Sequence, residues 1–331
     1  MTRRALIVAP LALLVAAALC AKPPPPVPAD TLPETLSIEV VPLGLDPRPA
    51  SAENPLSAAR VALGRRLFFD PVLSRDKSVA CASCHQPDHG FASPDARPRG
   101  IGGREVARRA PTLLNRAYGT AFFWDGRAAS LEEQALEPIA NPAEMGSSVD
   151  EAVSRLRAEA RYKNQFAVAF DDGVTAANLG KALASFERVL LRGDSPVDRF
   201  RQRGERNAMT AGELHGLWLY ESKGQCWRCH TGKNFTDENF HNTGVSWGGD
   251  DLGRHAVTRK ETDRGKYKTP TLRGVKLRAP YMHDGSLKSL DDVVEFYNRG
   301  GGANPHLDST MRPLNLTKEE MADLVAFLKA L

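Results

Sequence analysis

Two short stretches carry the chemistry most open to reading: CASCH at residues 81–85 and CWRCH at residues 226–230. Each sets two thiols three positions apart with an imidazole directly after them. That spacing lets the thiols bond to the two vinyl groups of one porphyrin while the histidine lies under the ring as an iron ligand. Paired cysteines also serve as disulfides or as halves of a zinc site. Neither use explains a histidine after both pairs. Of the five cysteines, only Cys20 lies outside the pairs. The chain is therefore read as carrying two covalently bound haem c groups. Cys81 and Cys84 attach the first and Cys226 and Cys229 the second, with His85 and His230 ligating the irons.

The elements that must position these groups begin after an export segment. Two arginines precede an apolar run from Ala5 to Leu19, the pattern of a secretory signal over residues 1–20, and the run is too short to span a membrane. The mature protein is expected in the periplasm. Lipid anchoring at Cys20 is disfavoured because the large Leu19 stands where a lipoprotein site takes a small residue. Residues 21–54 include four consecutive prolines and read as a stiff or disordered spacer. Compact structure is expected from near residue 55. The remaining ~275 residues suffice for two modest domains, divided as 55–204 and 205–331 with one haem each. The balance of 44 basic to 40 acidic residues gives no argument for nucleic acid, and no helix-turn-helix, zinc-finger or phosphate-loop pattern supplies one.

Apolar spacing predicts a helix over PLSAARVALGRRLFFD. Ser130 caps LEEQALEPI, Asp150 caps EAVSRLRAEA, and TAANLGKALASFERVLLRG is a long amphipathic helix closed by Gly193. The stretch GDSPVDRFRQRGERNAMT reads as a polar link. Thr210 then caps the helix leading into CWRCH, Ser289 caps LDDVVEFY, and Thr317 caps a closing helix with Glu320 completing a capping box. Strand-like alternation is scarce. The fold class is all-α: two c-type cytochrome domains, each built around one covalently attached haem.

Over residues 55–331 the chain resembles the bacterial di-haem cytochrome c peroxidase and MauG family. The matching segments are LGRRLFFDPVLSRDKSVACASCHQPDHGF, APTLLN, FFWDGRAASLEEQALEPIANPAEM, TGKNFTDENFHNTGV, DRGKYKTPTLRGVKLRAPYMHDGSL and VVEFYNRGG. The resemblance implies that the first haem meets hydrogen peroxide and the second handles electrons. It further implies Glu144 as the acid–base group of peroxide cleavage, Gln134 beside it, and Trp124 between the haems. Family members that need reductive activation hold a distal histidine before APT. Here no histidine lies between His89 and His215, so the first haem is expected to be open. His89 is read as surface or packing, and Trp227 as packing.

Members of the family with a methionine ligand on the second iron place it fourteen residues after the histidine of HDG. From His283 that residue is Tyr297, and the MauG branch has tyrosine there. Met311 is the rival ligand, and a core aromatic is the bland reading of Tyr297. A calcium ion is weighed as a further cofactor. The asparagine the family uses before PT is absent, since Arg108, Arg109 and Ala110 stand there, although carbonyls of Arg278 and Pro280 remain as donors. Three functions compete. The first reduces H₂O₂ with two electrons and two protons to two waters, drawing on a small cytochrome c or cupredoxin. The second is a MauG-like oxidase acting on tryptophans of a protein partner through a high-valent di-haem state. The third is a non-catalytic di-haem electron carrier. The resemblance also implies a homodimer.

Overall fold

The computed structural model describes residues 37–331. The export segment, Cys20 and the first part of the spacer lie outside the described residues. The helices are α1 (Ala58–Phe69), α2 (Cys81–Cys84), α3 (Leu131–Ala140), α4 (Val149–Ala158), α5 (Ala160–Ala169), α6 (Ala176–Arg188), α7 (Pro196–Arg203), α8 (Ala211–Glu221), α9 (His255–Thr258), α10 (Leu290–Asn298) and α11 (Lys318–Lys329). Among the described residues the only strands are β1 (Phe240–His241) and β2 (Tyr267–Lys268), a short antiparallel pair. The fold is mostly α-helical, as expected.

Two cores form. The first gathers Leu67, Phe68, Ile139, Leu156, Phe166, Leu183 and Phe186 around α1, α3 and α6. The second gathers Leu219, Tyr220, Phe235, Val294, Leu324 and Phe327 around α8, α10 and α11. In each core two helices cross at a glycine. A Cβ on Gly64 of α1 would meet the Ala182 carbonyl of α6 at 1.9 Å, and one on Gly216 of α8 would meet the Asp323 carbonyl of α11 at 2.0 Å. Only glycine lets backbones approach so closely. The neighbouring side chains also correspond: Phe186 lies beside Gly64 and Phe327 beside Gly216.

This correspondence extends into an internal repeat. His85 Nδ1 lies 3.0 Å from the Phe91 carbonyl, and His230 Nδ1 lies 3.1 Å from that of Phe235. Thr112 Oγ1 donates to Gly90 O and accepts from Leu114 N. Thr271 Oγ1 donates to Asn234 O and accepts from Arg273 N. Phe122 N donates to Ala128 O as Tyr281 N does to Leu287 O. Left-handed backbone at Phe123 and at Met282 precedes Trp124 and His283, and Ser130 and Ser289 then cap α3 and α10. The two units exchange a reciprocal pair of hydrogen bonds, Arg109 N to His283 O and Lys268 N to Trp124 O, both 2.8 Å.

Several sequence expectations are corrected. Ser148, not Asp150, caps α4, because its hydroxyl accepts from Glu151 N while the Glu151 carboxylate accepts from Ser148 N. Helix α6 ends at Arg188 rather than running to Gly193, since the chain turns there and Asn115 pairs with Leu190 O and Arg192 N. The supposed polar link contains α7, begun by the Ser195 cap and Pro196 at its first position, a sequence signature of helix starts. Asp198 of α7 forms a buried ion pair with Arg273, whose guanidinium also donates to Gly44 O. Gly44 and the buried Asn54 show that residues 37–54, expected as spacer, include segments packed on the domains. Asn54 bonds Glu132 and the Lys181 carbonyl.

Candidate active site

Each C-x-x-C-H stretch borders its own cavity. Cys81, Cys84 and His85 line the first, and Cys226, Cys229 and His230 the second. All four cysteines are free of disulfides. Burial pushes the Cys81, Cys84 and Cys226 thiols up to about 12, so they lie in apolar surroundings. Burial also pulls both histidines down, His230 to about 4. Each neutral ring can donate from Nδ1 to its carbonyl, leaving Nε2 to take iron. Orphaned buried atoms in these cavities, Glu187 Oε2, Arg109 Nε and Arg278 Nε, suit a large group with a polar edge. The residues present therefore fit two haem c groups.

Helix α3 turns one face to the first cavity: Leu131, Gln134, Ala135 and Pro138 follow at helical spacing. The loop after it adds Asn141, Glu144 and Met145. Glu144 is not a solvated loop carboxylate. Burial holds its pKa above the ordinary value, with Arg127 and Asn141 pulling it back. Asn141 Nδ2 donates to its Oε1 at 2.7 Å, and Ile101 N pins its carbonyl at 2.7 Å. Gln134 and Glu144 are thus brought to one cavity. Glu187 was missed by sequence reasoning. It is buried, borders the same cavity, and burial pushes it up to about 8. In the sequence it looked like one more polar position on an amphipathic helix.

Trp124 borders both cavities, as do Arg109, Lys268 and His283. Its Nε1 donates to Arg109 O at 2.8 Å, and its ring centroid lies 6.4 Å from that of His283. Trp227, expected to be packed, is 45% exposed, because its short helical turn aims it outward from the CWRCH loop. His89 is half-buried with an unpartnered Nδ1, in keeping with packing.

Tyr297, Met311 and Met282 all border the second cavity. The Tyr297 phenol is pushed to high pKa by burial and by the Cys229 and Cys226 sulfurs beside it, and Thr243 hydrogen-bonds it. Cys229, Asp237 and His241 form the one cluster of potential metal-binding side chains among the described residues. Cys229 belongs to the haem pair, and both nitrogens of His241 are taken by Asp308 and Asp237. A calcium site is not supported. Arg108, Arg109 and Ala110 stand where the resemblance implies an asparagine, and Arg109 Nη2 donates to the Arg278 carbonyl at 2.9 Å, so a guanidinium engages an oxygen the resemblance offers to the ion.

Residues 58–207 match the family model described as di-haem cytochrome c peroxidase, and residues 216–331 match cytochrome c. The chain is 43% identical over 287 residues to the methylamine utilization protein MauG of Methylorubrum extorquens, covering 86% of this chain and 81% of that protein. It is 36% identical over 289 residues to the cytochrome c551 peroxidase of Nitrosomonas europaea, covering 86% and 83%. Among solved structures, a MauG-like protein associated with microbial copper homeostasis superposes with a TM-score of 0.81 at 31% identity, covering 88% of this chain and 94% of that one. With two haem-binding cavities built on one repeated frame and relatives matched over most of their length, the chain belongs to the bacterial di-haem cytochrome c peroxidase and MauG family and is a periplasmic c-type oxidoreductase.

Proposed function

We propose that the protein is a MauG-like oxidase, which uses hydrogen peroxide to oxidise residues, tryptophan foremost, of a protein partner. The overall change balances as H₂O₂ plus the partner's two electrons and two protons giving two waters. Plain peroxide reduction is the leading expectation from the sequence alone. The greater identity to MauG and the position of Tyr297 shift the weight to partner oxidation. The carrying observation is the Tyr297 phenol, buried in the second cavity beside the Cys226 and Cys229 sulfurs. Were Tyr297 to ligate the second iron as phenolate, it would favour the oxidised forms over easy reduction by a small donor.

When bound, the haems would supply two redox irons, held at His85 and His230. Glu144 would take a proton from one oxygen of the peroxide and return it to the other as the O–O bond breaks. Its burial keeps that proton within reach, Asn141 fixes its rotamer, and Gln134 orients peroxide from α3. Trp124, bordering both cavities, is the bridge for electron exchange. Peroxide reduction with a small cytochrome c or cupredoxin is the second reading, favoured by relatives named cytochrome-c peroxidase at 33–36% identity.

The test adds one equivalent of peroxide to the ferric holoprotein, with and without a reduced c-type cytochrome. The expected result is reaction without prior reduction, followed by an oxidised form of the protein that persists for minutes and that the cytochrome discharges slowly. Fast multiple turnover with the cytochrome would return the assignment to peroxide reduction. No reaction until an electron is added would remove the open site.

A further inference from the structure

We infer that the guanidinium of Arg109, together with that of Arg278, is a built-in cation at the junction of the two domains, standing in for the divalent ion that the family resemblance implies. The alignment of Trp124 between the cavities is thereby independent of metal.

Arg109 is 4% exposed and Arg278 5% exposed. Arg109 Nη2 donates to Ser93 O at 2.5 Å and to Arg278 O at 2.9 Å. Ser93 lies in the loop after the first haem motif, and Arg278 lies in the segment leading to His283. The side chain therefore ties the two haem units together through carbonyl oxygens, the donors a hard cation such as calcium uses. Arg278 Nη2 donates in turn to Thr271 O at 2.6 Å. Among the described residues no carboxylate pairs with either guanidinium. Burial lowers their pKa values to about 10 and about 9, and Arg278 is lowered further by Arg109. Both values leave the groups charged at neutral pH. The junction therefore holds two positive charges, the charge of one divalent ion, with no side-chain carboxylate of the described residues paired to them, while their unpartnered Nε atoms stay directed at the haem cavities. An added calcium would meet these charges at close range in a poorly screened interior and would find the Arg278 carbonyl already engaged.

The position matters because the Arg109 backbone is the seat of Trp124. The indole Nε1 donates to Arg109 O, and Arg109 N donates to His283 O. A side chain fixed at Ser93 and Arg278 fixes the peptide units that hold the tryptophan and the neighbouring domain. Arg109 is in this sense a positioning residue.

The experiment uses the holoprotein purified without chelator. Metal analysis is expected to find less than about one-tenth of a calcium ion per chain, and the ferric paramagnetic resonance spectrum and melting temperature should be unchanged by a chelator or by millimolar calcium. Arg109→Asn, which restores the amide oxygen, should shift the ferric spectrum and take up calcium with recovery of the parent signal, while Arg109→Lys should keep the calcium independence. One calcium per chain in the parent, lost to chelator together with a spectral change, would overturn the inference. So would an Arg109→Asn protein indistinguishable from the parent. If that variant does not assemble, the parent's metal content and chelator response still decide.

Discussion

The two haem units share their frame down to single hydrogen bonds and differ in the residues that the frame presents. On the histidine side they are nearly superimposable in plan, with a carbonyl holding Nδ1 and a threonine clamping the loop behind it. The differences collect at three places. Where the first unit has Trp124 the second has His283, buried and stacked on Tyr267 at 3.5 Å. Eight residues past the capping serine, α3 carries Pro138 and α10 carries Tyr297. Beside the crossing phenylalanines Phe186 and Phe327, the first unit carries Glu187 and the second Leu328, each bordering its cavity. The first cavity is furnished with acids and an amide, the second with apolar groups and a phenol. One scaffold thus sets iron attachment twice and leaves α3 and α10 to decide what each iron can do.

Removing that furnishing should have the largest effect. Glu144→Gln keeps size and reach but loses the proton. Stopped-flow oxidation by peroxide should slow by about 10²- to 10⁴-fold, with haem content and resting spectra intact. A rate within about twofold of the parent would place Glu144 outside the chemistry. A second asymmetry concerns stability. The second unit is anchored to α7 and Gly44 through the Arg273–Asp198 pair, whose side chains are 1% and 6% exposed. Asp198→Ala leaves Arg273 uncompensated, and denaturant unfolding should show a loss of about 3–5 kcal/mol. A replacement of both partners by apolar residues should recover much of it.

What the sequence disclosed was local. Cysteine spacing located both haems, and the serines and threonines ahead of α3, α8, α10 and α11 each cap their helix because a capping hydroxyl and its target amide lie within one turn. What stayed hidden depends on distant partners. The charged stretch that forms α7 is stabilised by Arg273, 75 residues away. The pair Arg108–Arg109 looks like surface charge until the carbonyls of Ser93 and Arg278 converge on it. The repeat is also written in the sequence, where Pro111-Thr112-Leu113, Asp125-Gly126 and Ser130-Leu131 recur at one constant interval as Pro270-Thr271-Leu272, Asp284-Gly285 and Ser289-Leu290; it is easily passed over because residues between them, such as Phe123 and Met282, share a left-handed turn but not a side chain. Trp227 lies inside a haem motif, yet its exposure follows from the orientation of the whole loop.

The contrast at α10 gives a smaller, spectroscopic effect. Tyr297→Phe removes the phenol's hydroxyl and leaves Met311 and Met282 lining the same cavity. The ferric near-infrared spectrum of the second haem should change, and its midpoint potential should rise, because an anionic ligand no longer favours the ferric iron. A methionine-type band already present in the parent, kept in Tyr297→Phe and lost in Met311→Leu, would assign the iron to Met311 instead.

The least effect, and the most direct probe of the two cavities' difference, is the pH response of Glu187. Burial pushes this carboxyl from an ordinary 4.5 to about 8, so the folded protein holds its proton more tightly than the unfolded chain does. The sign follows from linkage: the stabilising contribution of the protonated group is complete below about 4.5 and is lost as pH rises through about 8. The melting temperature of the parent should therefore fall across that window by more than surface titration produces. Glu187→Leu, which gives the first unit the residue of the second, and Glu187→Gln should both flatten the fall, and above about pH 8 both should melt higher than the parent by several degrees, roughly 2–4 °C per kcal/mol for a domain of this size. Parallel pH profiles for parent and variants would mean that Glu187 keeps its charge within the holoprotein, with a cationic partner in the cavity supplying the compensation.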